Sequence, residues 1–125
     1  MPTVQQMTAA VDNYIDRFNA NDLDGLVALF AEDATVEDPI GTPLKEGSAA
    51  IRDFYEMSLG TGAKLTYVGP TCPTGSDLVA YVMYVIVPIN DMPMRFDVIE
   101  TFRVGDDGKI KEMKAYFGET NIRPA

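Results

Sequence analysis

Met94-Arg95-Phe96-Asp97-Val98-Ile99-Glu100-Thr101-Phe102-Arg103-Val104 alternates in the manner of a β-strand, and its reading decides the fold. One face carries Met94, Phe96, Val98, Glu100, Phe102 and Val104, apolar but for the glutamate. The other carries Arg95, Asp97, Ile99, Thr101 and Arg103, which suits solvent or a partner surface. A strand with one apolar face needs a second layer to cover it. Around it, Leu65 to Val68, Leu78 to Val87 and Ile110 to Phe117 also read as strands. Turn signals separate them: Pro70-Thr71-Cys72-Pro73 and Gly105-Asp106-Asp107-Gly108.

The covering layer lies upstream. Thr3 and Gln6 make a capping-box pair, and Val4, Met7, Val11, Tyr14, Ile15 and Phe18 follow at helical spacing. Asn19, Asn21 and Asp22 break that pattern, after which Leu23, Leu26, Val27 and Phe30 predict a second short helix forming a hairpin with the first. Ala34-Thr35-Val36-Glu37-Asp38 reads as a strand ended by Pro39, Gly41 and Pro43. A third helix is expected from Gly47-Ser48, with Ile51, Phe54, Tyr55 and Leu59 inward, stopping at Gly60 and Gly62. Three helices followed by a meander predict an α+β domain, the helices packed on one face of a curved antiparallel or mixed sheet. A pocket can open between the layers. No linker or repeat interrupts residues 1–125, so a single domain is expected.

Composition narrows the function classes. Ten Lys and Arg against nineteen Asp and Glu give a net charge of −9, which repels phosphate backbones and anionic lipid. Neither nucleic acid nor a membrane is an expected partner. The N-terminal stretch has no basic segment leading into an apolar one, and a cytoplasmic location is the simplest expectation. Cys72 is the only cysteine, so no internal disulfide forms. With no histidine, Ser-His-Asp triads and His-ligated zinc are unavailable. Glu32-Asp33 and Asp106-Asp107 read as solvated turns rather than metal ligands, and Gly60-Thr61-Gly62-Ala63-Lys64 lacks the glycine spacing of a phosphate loop.

Three residues stand out against this background. Glu100 sits on an apolar face, where it must find partners or stay protonated. A bulge that shifts its register and a buried cation that pairs with it are the alternatives. Asp38 lies on the same side of its strand as Ala34 and Val36, while Glu37 points away; an Asp before Pro also commonly just starts a turn. Tyr14 lies on the apolar stripe of the first helix and Tyr55 on that of the third, positions where tyrosine often only packs. Together they fit proton abstraction beside a carbonyl, with an ionised carboxylate as base and neutral donors for the enolate oxygen. That chemistry needs no cofactor.

Asn19-Ala20-Asn21-Asp22-Leu23-Asp24-Gly25, Val27-Ala28-Leu29-Phe30-Ala31, Asp33-Ala34-Thr35-Val36-Glu37-Asp38-Pro39, Ala50-Ile51-Arg52-Asp53-Phe54-Tyr55 and Phe117-Gly118-Glu119-Thr120-Asn121-Ile122 resemble the corresponding segments of the ketosteroid isomerases (steroid Δ5-3-ketoisomerases). These belong to the NTF2-like, cystatin-like α+β fold group. The resemblance implies that Asp38 carries a proton from C4 to C6 of a 3-oxo-Δ5-steroid, that Tyr14, supported by Tyr55, and Glu100 donate to the 3-oxygen, and that the protein is a homodimer. A carboxylic acid kept neutral near pH 7 is a feature taken from that family. Val36, Phe54, Met83, Met113 and Phe117 are the expected wall against the flat substrate. The family usually has aspartic acid where Glu100 stands. A non-catalytic binder of an apolar ligand or protein partner, and a related cyclase or epoxide hydrolase, remain alternatives, because the fold hosts many functions.

Overall fold

A computed structural model describes residues 1–125. Helix α1 spans Val4–Asn19 and begins with the expected box: the Gln6 amide donates to Thr3 Oγ1 at 3.0 Å, and the Thr3 amide donates to Gln6 Oε1 at 2.9 Å. Its buried stripe is Met7, Ala10, Val11, Tyr14, Ile15 and Phe18. Asp22 caps α2 (Leu23–Val27) by accepting from the Gly25 amide at 2.9 Å, an approach that a Cβ on Gly25 would block. This helix is shorter than its apolar spacing predicts. Phe30, expected on it, instead opens strand β1 (Phe30–Glu37), because Phe30 pairs with Ile110 across the sheet. Long-range pairing overrides a five-residue helix that has little strength of its own.

The remaining elements are β2 (Lys45–Glu46), α3 (Gly47–Gly60), β3 (Lys64–Pro73), β4 (Leu78–Ile89), β5 (Met92–Val104), β6 (Ile110–Tyr116), a 3₁₀ turn at Glu119–Asn121 and β7 (Ile122–Pro124). The sheet runs β2-β1-β6-β5-β4-β3 and is mixed, since β1 lies parallel to β6 while the other pairs are antiparallel. β6 accompanies β5 from Ile99 to Val104, and after the 3₁₀ turn β7 continues along β5 from Phe96 to Met94. Pro70-Thr71-Cys72-Pro73, expected as a turn, is the far part of β3. The edge position explains it, since an edge strand tolerates proline and the register shifts between Tyr67 and Thr71.

Asn19 ties the layers together. Its amide accepts from Leu65 N and donates to Leu65 O, both at 2.8 Å, so the end of α1 completes the start of β3. Twenty-three buried apolar residues form one cluster between the helices and the inner face of the sheet. Glu100 is the only charged residue buried among them, at 1% exposure. No helix is long and apolar enough to cross a membrane.

Candidate active site

A cavity of about 280 Å³ lies between α1, α3 and the inner face of β3, β4 and β5. Apolar side chains make most of its wall, and Asp38, Glu100, Ser58 and Thr61 are its polar members besides the hydroxyls of Tyr14 and Tyr55. Each functional group arrives on a regular element. The helical period of α1 turns Tyr14 inward, α3 does the same for Tyr55, and strand alternation delivers Glu100 between Val98 and Phe102. Asp38 follows the last residue of β1, where the chain leaves the sheet at Pro39.

The tyrosines form a connected group. Tyr14 and Tyr55 hydroxyls lie 2.9 Å apart, with ring centroids at 5.9 Å and planes 75° apart. Phe102 meets the Tyr14 ring at 5.1 Å. One phenol can donate to the other, which leaves one hydrogen for a guest in the cavity. Burial, followed by the nearby Glu100 charge, raises both phenols well above their ordinary 10.0, so both remain donors.

The two carboxyls differ in setting. Asp38 is only partly buried; desolvation pushes its carboxyl from 3.8 to about 6, and the Lys45 ammonium pulls it back down. Glu100 is sealed from water, and desolvation, then the Asp38 charge, raises it from 4.5 to about 8, while a hydrogen bond from Tyr81 opposes the rise. At neutral pH Asp38 is mainly ionised and Glu100 mainly protonated. An ionised base and a neutral carboxylic acid face one apolar cavity.

The structure gathers Tyr14, Asp38, Glu100, Tyr55, Phe54, Met83 and Phe117 around this cavity. Two residues expected on the wall are elsewhere: Val36 and Met113 are register partners on β1 and β6, fully buried, with no surface on the cavity. Inward-facing is not the same as cavity-facing, because β1 and β6 lie at the other side of the sheet from β3, β4 and β5, whose side chains wall the cavity. Sequence reasoning passed over Phe18, Leu65, Val85, Val87, Phe96 and Val98, which also line the wall. It also passed over Tyr81, whose hydroxyl donates to Glu100 Oε1. The signal was present in the alternation Val79, Tyr81, Met83, Val85, Val87 along β4. No three His, Cys, Asp or Glu side chains gather closely enough to hold a metal ion.

The SnoaL-like domain model matches residues 11–113. The chain belongs to the SnoaL-like family, within the NTF2-like superfamily. This SnoaL-like chain is 30% identical over 122 residues to a steroid Δ-isomerase of Nocardioides simplex, an alignment covering 96% of the chain and 98% of that enzyme. It is 32% identical over 120 residues to the epoxide hydrolase LasB of Streptomyces lasalocidi, covering 90% of the chain and 43% of the longer protein. Among solved structures, SalBIII, an epoxide hydrolase/cyclase-like enzyme with a role in pyran ring formation in salinomycin, superposes over the whole of both chains with a TM-score of 0.93 at 25% identity. Rv0760c of Mycobacterium tuberculosis, solved in complex with estradiol-17β-hemisuccinate, covers 94% of this chain and 98% of its own with a TM-score of 0.87 at 23% identity, a likeness of fold. The α+β, NTF2-like architecture expected of the sequence is the one found. The relatives include an isomerase, an epoxide hydrolase and an epoxide hydrolase/cyclase-like enzyme, which makes an enzymatic role the family context of this site.

Proposed function

We propose that this chain is a steroid Δ-isomerase converting 3-oxo-Δ5-steroids to 3-oxo-Δ4-steroids by intramolecular proton transfer through a dienolate. The observation that carries the reading is the pairing, in one apolar cavity, of Asp38 near 6 with Glu100 near 8. The Asp38 carboxylate takes the C4 proton, and the electron pair moves through the carbonyl to O3. Negative charge then leaves Asp38 and gathers on the dienolate oxygen, where Tyr14 and Glu100 donate. Tyr55 supports Tyr14 by donating to its oxygen. Asp38 returns the same proton to C6, so nothing is consumed and no cofactor enters. An apolar enclosure strengthens both hydrogen bonds as charge develops.

The longer side chain at Glu100 serves the same role as an aspartic acid if its hydroxyl reaches O3, and burial already holds it neutral. The substrate is a flat apolar molecule, in keeping with a wall that includes Phe54, Met83, Val98 and Phe117. A cytoplasmic homodimer completes the proposal. The outer face of the sheet, with exposed Ile99 and Tyr116, is available to a second copy.

A second reading has a specific observation behind it: the full-length superposition on SalBIII and the match to LasB. There Glu100 would protonate an epoxide oxygen while Asp38 takes the proton of the attacking hydroxyl. One assay separates the two. Purified protein is given a 3-oxo-Δ5-steroid, and the ultraviolet absorbance of the conjugated enone is followed. Asp38→Asn is expected to lose about 10²–10⁴ in kcat, while binding of the conjugated product is unchanged. No conversion by the unmodified protein, or full activity in Asp38→Asn, overturns the isomerase reading; turnover of an apolar epoxy alcohol instead would establish the second.

A further inference from the structure

We propose that Tyr81 is a positioning residue for Glu100, whose hydroxyl holds Oε1 from behind so that the carboxylic proton sits on Oε2 and faces the cavity. The inference rests on the reading of Glu100 as a donor to the substrate oxygen.

Tyr81 and Glu100 are direct register partners on β4 and β5, so both side chains project from the same face of the sheet side by side. Glu100 lines the cavity and Tyr81 does not, although Tyr81 is only 1% exposed. The phenol therefore reaches the carboxyl from the side away from a ligand. Its ring is fixed against Phe102 at 5.5 Å, and Phe102 in turn meets Tyr14.

Proton placement follows from counting donors. A neutral carboxylic acid has one hydrogen, and a phenol has one. The bond to Oε1 is the single hydrogen bond that the Tyr81 hydroxyl makes. If Glu100 gave its hydrogen to Tyr81 instead, the phenolic hydrogen would have no acceptor in a buried place, and Glu100 would have nothing to offer a ligand. With Tyr81 donating to Oε1, both hydrogens are used and the one on Oε2 points into the cavity. Tyr81 thus selects which oxygen is acidic. It also favours the ionised form of Glu100, because a phenol donates more strongly to a carboxylate than to the neutral acid. The other groups facing Glu100 are Asp38 from the end of β1, Tyr14 from α1 and Tyr55 from α3, while its β6 partner Ala115 carries no charge.

The test reads Glu100 directly. Infrared spectra of protein labelled with ¹³C-glutamate, with Glu100→Gln subtracted to assign the band, give its carbonyl stretch and its titration. In Tyr81→Phe the stretch is expected at higher frequency and the titration midpoint about one pH unit higher, since a donor to the carboxylate is gone. Replacing Tyr81 by 3,5-difluorotyrosine, a stronger donor of nearly the same shape, is expected to move both in the opposite direction, which packing alone would not do. On the steroid, Tyr81→Phe is expected to lose about tenfold in kcat with KM within about twofold. An unchanged band and midpoint in folded Tyr81→Phe overturns the proposal; should that variant not fold, an unchanged band in the difluorotyrosine protein does so. If the unmodified protein fails to isomerise the steroid, the isomerase reading falls, and the infrared shifts still decide the role of Tyr81.

Discussion

Two acids on β5, Asp97 and Glu100, show what one strand can do with the same functional group. Being an odd number of positions apart, they project from opposite faces. Asp97 on the outer face accepts from Arg95 Nε at 3.0 Å and from Arg123, which β7 places directly across from Arg95. The bonds from Arg123 and then Arg95 hold its carboxyl below the ordinary 3.8. Glu100 on the inner face meets no cation, and desolvation drives it the other way. Ionisation here is decided by the face and by what the neighbouring strand supplies, not by residue type.

The sharpest way to break this comparison is through turnover. Glu100→Leu keeps the bulk of the side chain and removes its donor, and on the isomerase reading it should lose about 10²–10³ in kcat, the usual effect of deleting one oxyanion donor. Asp97→Asn should stay within about twofold, because its carboxyl has no surface on the cavity. Steady-state kinetics on the two purified variants measure both. Equal losses would mean that sheet distortion, rather than proton donation, is being observed.

A smaller effect should appear in stability against pH, and its sign separates the two faces. A carboxyl raised by folding binds its proton more tightly in the native state, so its contribution is complete below the unfolded value and is lost as pH climbs to the folded one. For Asp38 that window runs from 3.8 to about 6, and for Glu100 from 4.5 to about 8. Urea denaturation should therefore show stability falling between about pH 4 and pH 8, by on the order of several kcal/mol. Glu100→Gln, neutral throughout, should flatten the upper part of that fall. Asp97 acts with the opposite sign: lowered by folding, it contributes above its ordinary value and loses that contribution only in acid.

How much of this was legible in the sequence depends on which neighbours a period can specify. Alternation along Met94 to Val104 placed Glu100 inward and Asp97 outward, and helical spacing placed Tyr14 and Tyr55 inward. These are properties of single elements. The parallel pairing of β1 with β6, the short β2 and β7 strands and the Arg123 partner of Asp97 depend on contacts between distant segments, which no local period encodes. Tyr81 was hidden for a related reason: it looks like one more apolar residue in Leu78 to Val87 until the register sets it opposite Glu100. Val36 and Met113 mark the limit from the other side, correctly inward yet packed in solid core. The inner face of this sheet serves both a core and a cavity, and alternation cannot divide them.

The smallest expected effect lies on the outer face itself. Asp97→Asn removes the charge that Arg95 and Arg123 share, yet all three side chains are about a third or more exposed, at 36%, 33% and 53%. In that setting the Coulomb gain is screened and set against the entropy of ordering two long side chains, so the loss of stability should be small. Arg95 also keeps its seat 3.8 Å from the centre of the Tyr84 ring, a contact that survives the substitution. The difference between native and variant should shrink as salt rises from about 0.01 M to 1 M, since the screening length contracts from about 30 Å to 3 Å. A large, salt-independent loss of stability in denaturant titrations would mean that this cluster is covered in the native protein, most simply by a second copy of the chain, and that the outer face is as dry as the inner one.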